Sequence, residues 1–371
     1  MLIAFRADAS LDIGTGHIMR CLTLAEALAA RGADCRFICR EHEGNLNQLI
    51  GDRGFAVYAL PVLLEGAEQS SDGADSGSRG HKNAHSHWLG ATQEQDANAC
   101  AAILADVCPD WLIVDHYALD ETWQLTLKSY CRRLMVIDDL ADRPHACDLL
   151  LDQNLGRRPE DYRGWVPRSC QVVCGVRYAL LRPEFEIWRS CSIQRRAEPV
   201  FRNLLIAMGG VDKDNVTGMV LDSLVTLSLP GDCKITVVMG ATAPRLQDVE
   251  QQASLMPWPT RVLVGVDNMA ELMANSDLAI GAAGATSWER CCMGLPTIMV
   301  VLADNQRLVA QSLAAVGAAK VIAHVENVAQ QLPLLLTPLI ESSQALQRMG
   351  QSAMSLVDGR GVDTVIRTLE S

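Results

Sequence analysis

The 371-residue sequence has no excess of basic residues: 32 Lys and Arg stand against 44 Asp and Glu, a formal net charge of −12. Without an overall basic field, nucleic acid and acidic membrane surfaces are excluded as general partners, and an anionic ligand must be held by local donors. No apolar stretch reaches membrane-spanning length, and no cationic segment followed by a short apolar one opens the chain. A membrane or secreted protein is therefore not expected, and the location read from the sequence is cytoplasmic. The 13 cysteines include no Cys-x-x-Cys pair; the nearest spacings are Cys35 with Cys39, Cys170 with Cys174, and adjacent Cys291 and Cys292. An odd number of cysteines in mostly apolar segments reads as small buried hydrophobes, not as a metal or disulfide framework.

What is present is an ordinary globular mixture, 49% hydrophobic and 20% charged, long enough for two domains. Strand and helix signals alternate through the first half: Leu2 to Ala7, a helix to Arg31, Asp34 to Arg40, a short helix from Asn45 to Ile50, and Ala56 to Leu60. This rhythm predicts an α/β fold with parallel sheets. The pattern fails from Leu64 to Asp96, a stretch rich in Gly, Ser, Asp, Gln and Ala that reads as a flexible surface insertion. Its His81, His85 and His87 are candidate metal ligands by residue type alone, and no metal is assigned to them. A helix from Ala97 to Asp106 follows. After a polar stretch from Glu184 to Arg196 and Pro199 the alternation restarts, so the predicted domains are 1–184 and 185–371, with the last helix packing back on the first domain.

The stretch Asp12 to Arg20, Asp-Ile-Gly-Thr-Gly-His-Ile-Met-Arg, lies where the first strand gives way to a helical repeat. Gly14 and Gly16 let the backbone turn sharply and approach a ligand, and the first free N–H groups of a helix point outward there, a generic anion cradle. His17 falls in the first turn, where the helix dipole favours a neutral ring able to accept a proton, and Arg20 shares its face. A structural histidine at an exposed helix start is the plain alternative.

Three further strands end in polar residues: Asp115, His116 and Tyr117; Asp138 and Asp139; Asp152, Gln153 and Asn154. Carboxyl ends of parallel strands face the ligand crevice of open α/β sheets, although each carboxylate also fits a loop cap. In the second half, Gly281 to Arg290 reads as strand end, small-residue loop and helix start, a second anion cradle with Gly284 and Ala285 in its loop. Glu289, one turn in, is placed to accept both hydroxyls of a ribose. Thr286 to Glu289 equally matches a Thr-x-x-Glu capping box, and the local pattern leaves the two readings even. Gly209 and Gly210 follow the first strand of this half. Asn305 and Gln306 follow another strand end, as sugar contacts or helix caps.

Ile13 to Cys21, Val114-Asp115-His116-Tyr117, Ile137-Asp138-Asp139, the run Gly175 to Arg182 and Met208-Gly209-Gly210, in this order, resemble the UDP-sugar hydrolase family of the pseudaminic acid pathway. The resemblance spans almost the whole chain. It implies two Rossmann-like domains facing a central cleft, the GT-B type, related to the peptidoglycan N-acetylglucosaminyltransferase. It also implies cleavage of UDP-2,4-diacetamido-2,4,6-trideoxy-β-L-altropyranose to UDP and free sugar. By resemblance His17 is the general base toward water, Asn154 a substrate contact and Glu289 the ribose anchor of the UDP site. Gly209, Gly210, Gly284, Ala285 and Thr286 supply diphosphate donors, and Gly14, Gly16, Arg20, Asp115, Tyr117, Tyr178, Arg182, Asn305 and Gln306 are further substrate contacts. The implied partner is the small-molecule UDP-sugar, with no cofactor or metal. A transferase of the same architecture, a non-catalytic nucleotide-sugar sensor and a dinucleotide oxidoreductase are the rivals; the last lacks its third fingerprint glycine, because Met19 holds that position.

Overall fold

The computed structural model describes residues 1–63 and 84–371. The chain packs as two units, Met1–Asp152 with Arg157–Cys174, and Gln153–Gly156 with Gly175–Ser371.

Among the described residues the N-terminal unit carries strands β1 (Leu2–Ala7), β2 (Asp34–Arg40), β3 (Ala56–Leu60), β4 (Trp111–Asp115), β5 (Arg133–Ile137), β6 (Leu149–Asp152) and β7 (Gln171–Cys174). They form one sheet in the order β3-β2-β1-β4-β5-β6-β7, all pairs parallel. The C-terminal unit carries β8 (Asn203–Ala207), β9 (Lys234–Met239), β10 (Thr260–Val264), β11 (Leu278–Ala282), β12 (Thr297–Val300) and β13 (Lys320–Ile322), in the order β10-β9-β8-β11-β12-β13. Each sheet reverses direction once, between β1 and β4 and between β8 and β11. In doubly wound sheets, ligands bind at the carboxyl ends of the strands at that switch point. These are two Rossmann-like α/β units.

Parallel strands must be covered on both faces, and the sequence supplies apolar residues at odd and even positions alike. On β8, Leu204 and Ile206 enter one core with Val220, Leu224 and Leu332, while Leu205 enters the other with Met273, Trp288 and Leu313. In the N-terminal unit, Ile38, Leu112, Val114 and Trp123 share a core, and Phe5 stacks on Phe37 with ring centroids 4.9 Å apart. Full burial of a large apolar side chain stabilises by about 1.5–3 kcal/mol, so these cores fix strand register firmly. The last helix, Gly361–Glu370, packs on residues 178 and 179: a Cβ at Gly361 would lie 2.1 Å from the Ala179 carbonyl.

The stretch read as a flexible insertion from Leu64 to Asp96 is ordered in its second part. Residues Ser86–Leu89 form a 3-10 turn, and a helix runs Gln93–Leu104, earlier than the predicted Ala97 start. Thr92 and Gln95 close a reciprocal capping box, Gln95 N–H to Thr92 Oγ1 at 3.1 Å and Thr92 N–H to Gln95 Oε1 at 2.9 Å. Asp96 is fully buried. Residues 64–83, including His81, lie outside the described residues. Most cysteines are buried, as expected of small hydrophobes, but Cys108 and Cys191 are exposed. Among the described residues no helix is long and apolar enough to cross a membrane.

Candidate active site

At the N-terminal switch point, β1 pairs with β4 so that Ala7 lies opposite Asp115. The chain leaving β1 is folded back on Ser10, whose Oγ accepts the N–H groups of Asp12 and Ile13 at 3.1 and 2.9 Å and whose carbonyl accepts that of Gly14 at 2.9 Å. Gly14 holds φ +79°, a left-handed conformation that favours glycine. The amides of Asp12, Ile13 and Gly14 are therefore spent inside the loop. Its role is to launch the helix Gly16–Ala29, which has no side-chain cap, with His17 as its second residue.

His17 is nearly buried, and its Nδ1 lies 2.6 Å from Asp115 Oδ1. An ionised carboxylate only accepts, so Nδ1 carries the proton and Nε2 of a neutral ring keeps a lone pair. Arg20, one turn along the same helix face, donates Nε to Asp115 Oδ2 at 2.6 Å and Nη2 to Oδ1 at 2.7 Å. Its Nη1 contacts Asp139 Oδ2 at 2.7 Å, and Tyr117 donates its hydroxyl to the same oxygen at 2.6 Å. The His17 and Tyr117 rings meet edge to face at 4.6 Å. Burial alone would raise the Asp115 pKa, but Arg20 and then His17 outweigh it and hold the carboxyl well below its usual range. Burial, then Asp139, pushes the Tyr117 phenol well up.

Arg20, Asp115 and Tyr117, expected as substrate contacts, are brought together here by contacts with one another and with Asp139. Asp115 is fully buried with both oxygens engaged, and Arg20 divides its guanidinium between two carboxylates. Asp115 thus joins His17 to Arg20, and Asp139 joins Arg20 to Tyr117. Asp139, read from the sequence as a strand-end carboxylate facing the crevice or capping a loop, completes the set.

Sequence reasoning also missed the network beneath. Asp96 accepts Arg6 Nε and Nη2 at 3.1 and 2.7 Å, Arg40 Nη2 at 2.5 Å and Trp123 Nε1 at 2.9 Å. Asp8 takes Arg6 Nη1 at 2.6 Å and faces His116 Nε2 at 3.2 Å. The signal in the sequence was Arg6 inside an otherwise apolar strand, with Asp8 just past its end. The other strand-end carboxylates are likewise internal: Asp138 and Asp152 share the Tyr162 hydroxyl at 2.9 and 2.8 Å. Of the candidate metal histidines, His85 and His87 rest on Trp88, and His85 also on Tyr117. No group of three metal-ligating side chains occurs among the described residues.

In the C-terminal unit, Gly209 and Gly210 follow β8 and the Gly281 to Ala285 loop closes β11, neighbours at the switch point through the Ala207–Gly281 pair. Gly209 has φ +96°, and a Cβ on Gly240 would lie 2.0 Å from the Gly210 carbonyl, so two loops touch backbone to backbone. The following helix, Val216–Val225, is capped by its own chain: Asp212 accepts the Val216 and Thr217 amides at 2.8 and 2.9 Å.

The predicted capping box at Thr286 is absent. The helix Thr286–Cys292 takes Ala285 as its N-cap with no side-chain bond, because Thr286 is already inside the helix. Instead Thr286 Oγ1 accepts Arg290 Nη1 at 3.2 Å. The Glu289 carboxylate makes no hydrogen bond or ion pair with the described residues; burial raises its pKa, with Arg182 pulling the other way. Gln306 lies against Gly284, a Cβ there being 3.8 Å from Gln306 Nε2, and its Oε1 accepts the Leu302 amide at 3.1 Å. Asn305 sits in the same 3-10 turn, Asp304–Gln306. Arg182 donates to the Asp267 carbonyl at 3.1 Å, and Tyr178 accepts Arg177 Nη2 at 2.7 Å. Asn154 is buried and packs with the C-terminal unit.

With this geometry in place, residues 204–360 match the glycosyltransferase family 28 C-terminal domain. The chain is similar to the UDP-2,4-diacetamido-2,4,6-trideoxy-beta-L-altropyranose hydrolase of Campylobacter jejuni, 27% identical over 85% of this chain and 97% of that protein. It is also similar to the UDP-N-acetylglucosamine--N-acetylmuramyl-(pentapeptide) pyrophosphoryl-undecaprenol N-acetylglucosamine transferase of Syntrophotalea carbinolica, 27% identical over 44% of this chain and 47% of that protein. Among solved structures, Acinetobacter baumannii MurG shares the fold at a TM-score of 0.65 and 17% identity, covering 100% of this chain and 99% of that one.

Proposed function

We propose that the protein hydrolyses a UDP-linked 2,4-diacetamido-2,4,6-trideoxy sugar, the β-L-altropyranose derivative being the expected substrate, to UDP and free sugar. The observation that carries this reading is the His17 Nδ1 to Asp115 contact of 2.6 Å at the β1/β4 switch point. A ring held by Nδ1 presents Nε2 as a base, and general-base assistance contributes roughly 10²- to 10⁴-fold in rate. Nε2 takes a proton from water as the oxygen attacks the anomeric carbon; the C–O bond to the diphosphate breaks and the configuration inverts. UDP leaves as an anion whose charge is offset by donors of the C-terminal unit, with Glu289 accepting from the ribose hydroxyls. The reading requires a bound UDP-sugar to present its anomeric carbon to His17. The similarity to the altropyranose hydrolase along nearly its whole length supports water as the acceptor.

A glycosyltransferase is the second reading, favoured by the family 28 domain and the transferase relative. It differs only in whether water or a sugar hydroxyl reaches the anomeric carbon. Incubating the protein with a panel of UDP-linked diacetamido sugars and following UDP release tests both. Prompt release from one sugar without acceptor, lost in His17→Asn while UDP binding persists, is the expected result. Slow release that an added acceptor accelerates would replace hydrolysis by transfer.

A further inference from the structure

The buried cations of the N-terminal unit are matched by carboxylates: Arg6 by Asp8 and Asp96, Arg20 by Asp115 and Asp139, Arg40 by Asp96, Arg143 by Asp138. Arg290 is different. It is 2% exposed, and no carboxylate lies within ion-pair distance of it among the described residues. Its Nη2 donates to the Ala282 carbonyl at 2.6 Å and to Ser287 Oγ at 3.2 Å, its Nη1 to Thr286 Oγ1 at 3.2 Å, and its Nε has no partner. Arg196 also lacks a close carboxylate and a partner for Nε, but it gathers main-chain carbonyls of Ser192, Met273 and Ser276 at 2.8–2.9 Å, which explains it as a structural clamp.

Burying a charge without a counter-charge is costly, and proteins keep such groups where a ligand supplies the missing sign. Burial lowers the Arg290 pKa to about 10, with Cys291 and Glu289 pulling the other way, so the guanidinium remains cationic at neutral pH while the Glu289 carboxylate stays beyond ion-pair distance. It lies directly under the Gly281 loop: a Cβ on Gly281 would fall 2.6 Å from Arg290 Nη1 and 2.7 Å from the Ala207 carbonyl. Because Thr286 Oγ1 accepts from Arg290, its own O–H remains free to donate, and Thr286 is part-exposed at the loop. The helix there spans only seven residues and brings little dipole of its own.

We infer that Arg290 is the counter-charge of the ligand's diphosphate, acting as a positioning residue that polarises the Thr286 hydroxyl toward a phosphate oxygen at the Gly281 to Thr286 loop. The inference deepens the reading of this unit as the nucleotide site and rests on it. Calorimetric titration of the full chain with UDP, and NMR titration with uridine, test it in wild type, Arg290→Met, Arg290→Lys and Thr286→Val. Arg290→Met is expected to weaken UDP on the order of 10- to 100-fold, the span of a lost charged hydrogen bond, while leaving uridine within about twofold. Arg290→Lys should recover part of the loss, and Thr286→Val should weaken UDP selectively. Equal weakening of UDP and uridine would overturn the inference in favour of a packing role, as would unchanged UDP affinity. Should Arg290→Met fail to fold, Thr286→Val decides: a selective loss of UDP supports the inference and no loss overturns it. Wild-type protein that binds neither UDP nor uridine would refute the nucleotide reading itself, an outcome separate from any difference among variants.

Discussion

Replacing Asp115 by Asn changes one oxygen to an amide and exposes how His17 is held. In the native site three nitrogen donors converge on the carboxylate, His17 Nδ1 at 2.6 Å, Arg20 Nη2 at 2.7 Å and Arg20 Nε at 2.6 Å, beside the Cys21 thiol at 3.6 Å. An amide offers one acceptor and one donor group. If its NH2 faces His17, the ring must adopt the other tautomer, and Nε2 then carries a proton and cannot act as base. At either position the NH2 also meets an Arg20 donor, Nη2 at Oδ1 or Nε at Oδ2. Removing one partner from a buried ion pair costs about 3–5 kcal/mol, and the Arg20 contact to Asp139 keeps the expected loss near the low end. The rate should fall roughly 10²- to 10⁴-fold, the range of general-base assistance, with UDP affinity unchanged. The assay is UDP release across pH alongside a denaturation curve. Combined with His17→Asn, Asp115→Asn should add little, because the two residues act as one unit. Wild-type kcat in Asp115→Asn, or a double variant that loses the product of both single effects, would refute the pairing as the source of the base.

Hydrolysis in ¹⁸O-water should label the sugar; label confined to UDP would mean attack at phosphorus. Glu289→Gln should weaken UDP by about 1.5–3 kcal/mol if the carboxylate holds the ribose, with little change in stability because no capping box is lost; calorimetry with UDP and a thermal melt read both. Stability should also fall in mild acid through His145, whose pKa burial lowers to about 4. Its Nδ1 accepts Gln124 Nε2 at 3.0 Å, and Gln124 is fixed because its Oε1 accepts the Ala146 amide at 2.7 Å. The unfolded histidine protonates near pH 6.5 and the folded one near 4, so the unfolded state binds more protons in that window. Stability is unaffected above it and declines as pH falls through it, by about 3 kcal/mol at most. Urea titrations at pH 7.5 and 4.5 should show a smaller decline in His145→Gln than in wild type; equal declines would refute the assignment.

The alternation of strands and helices was legible because both sheets are parallel and their connections regular. So was the placement of His17, because a change from strand to helix period across glycines marks a site by local pattern alone. The direction of Asp115 was not legible. Its partners lie on a helix far away in sequence, and nothing local distinguishes a carboxylate turned into the protein from one turned toward a ligand. The two capping boxes show the same limit. Thr286-x-x-Glu289 matches the pattern yet starts one residue too late, whereas Thr92-x-x-Gln95 is a working box overlooked beside a polar stretch. Arg290 escaped notice because a lone arginine in a helix looks solvated until its burial is known.

Asp96 has a consequence for how this protein can vary. It fastens β1 through Arg6, β2 through Arg40 and the helix Glu121–Leu127 through Trp123, and it does so from the first turn of its own helix. The chain that joins β3 to that helix is thus tied off at a rivet of four elements. Doubling the length of a connecting loop costs only about 0.6 kcal/mol in closure entropy, and the rivet bears the register. Lengthening or shortening that connection should therefore leave His17 and Asp115 where they are. In evolutionary terms, this is a place where sequence can be gained or lost without renegotiating the chemistry.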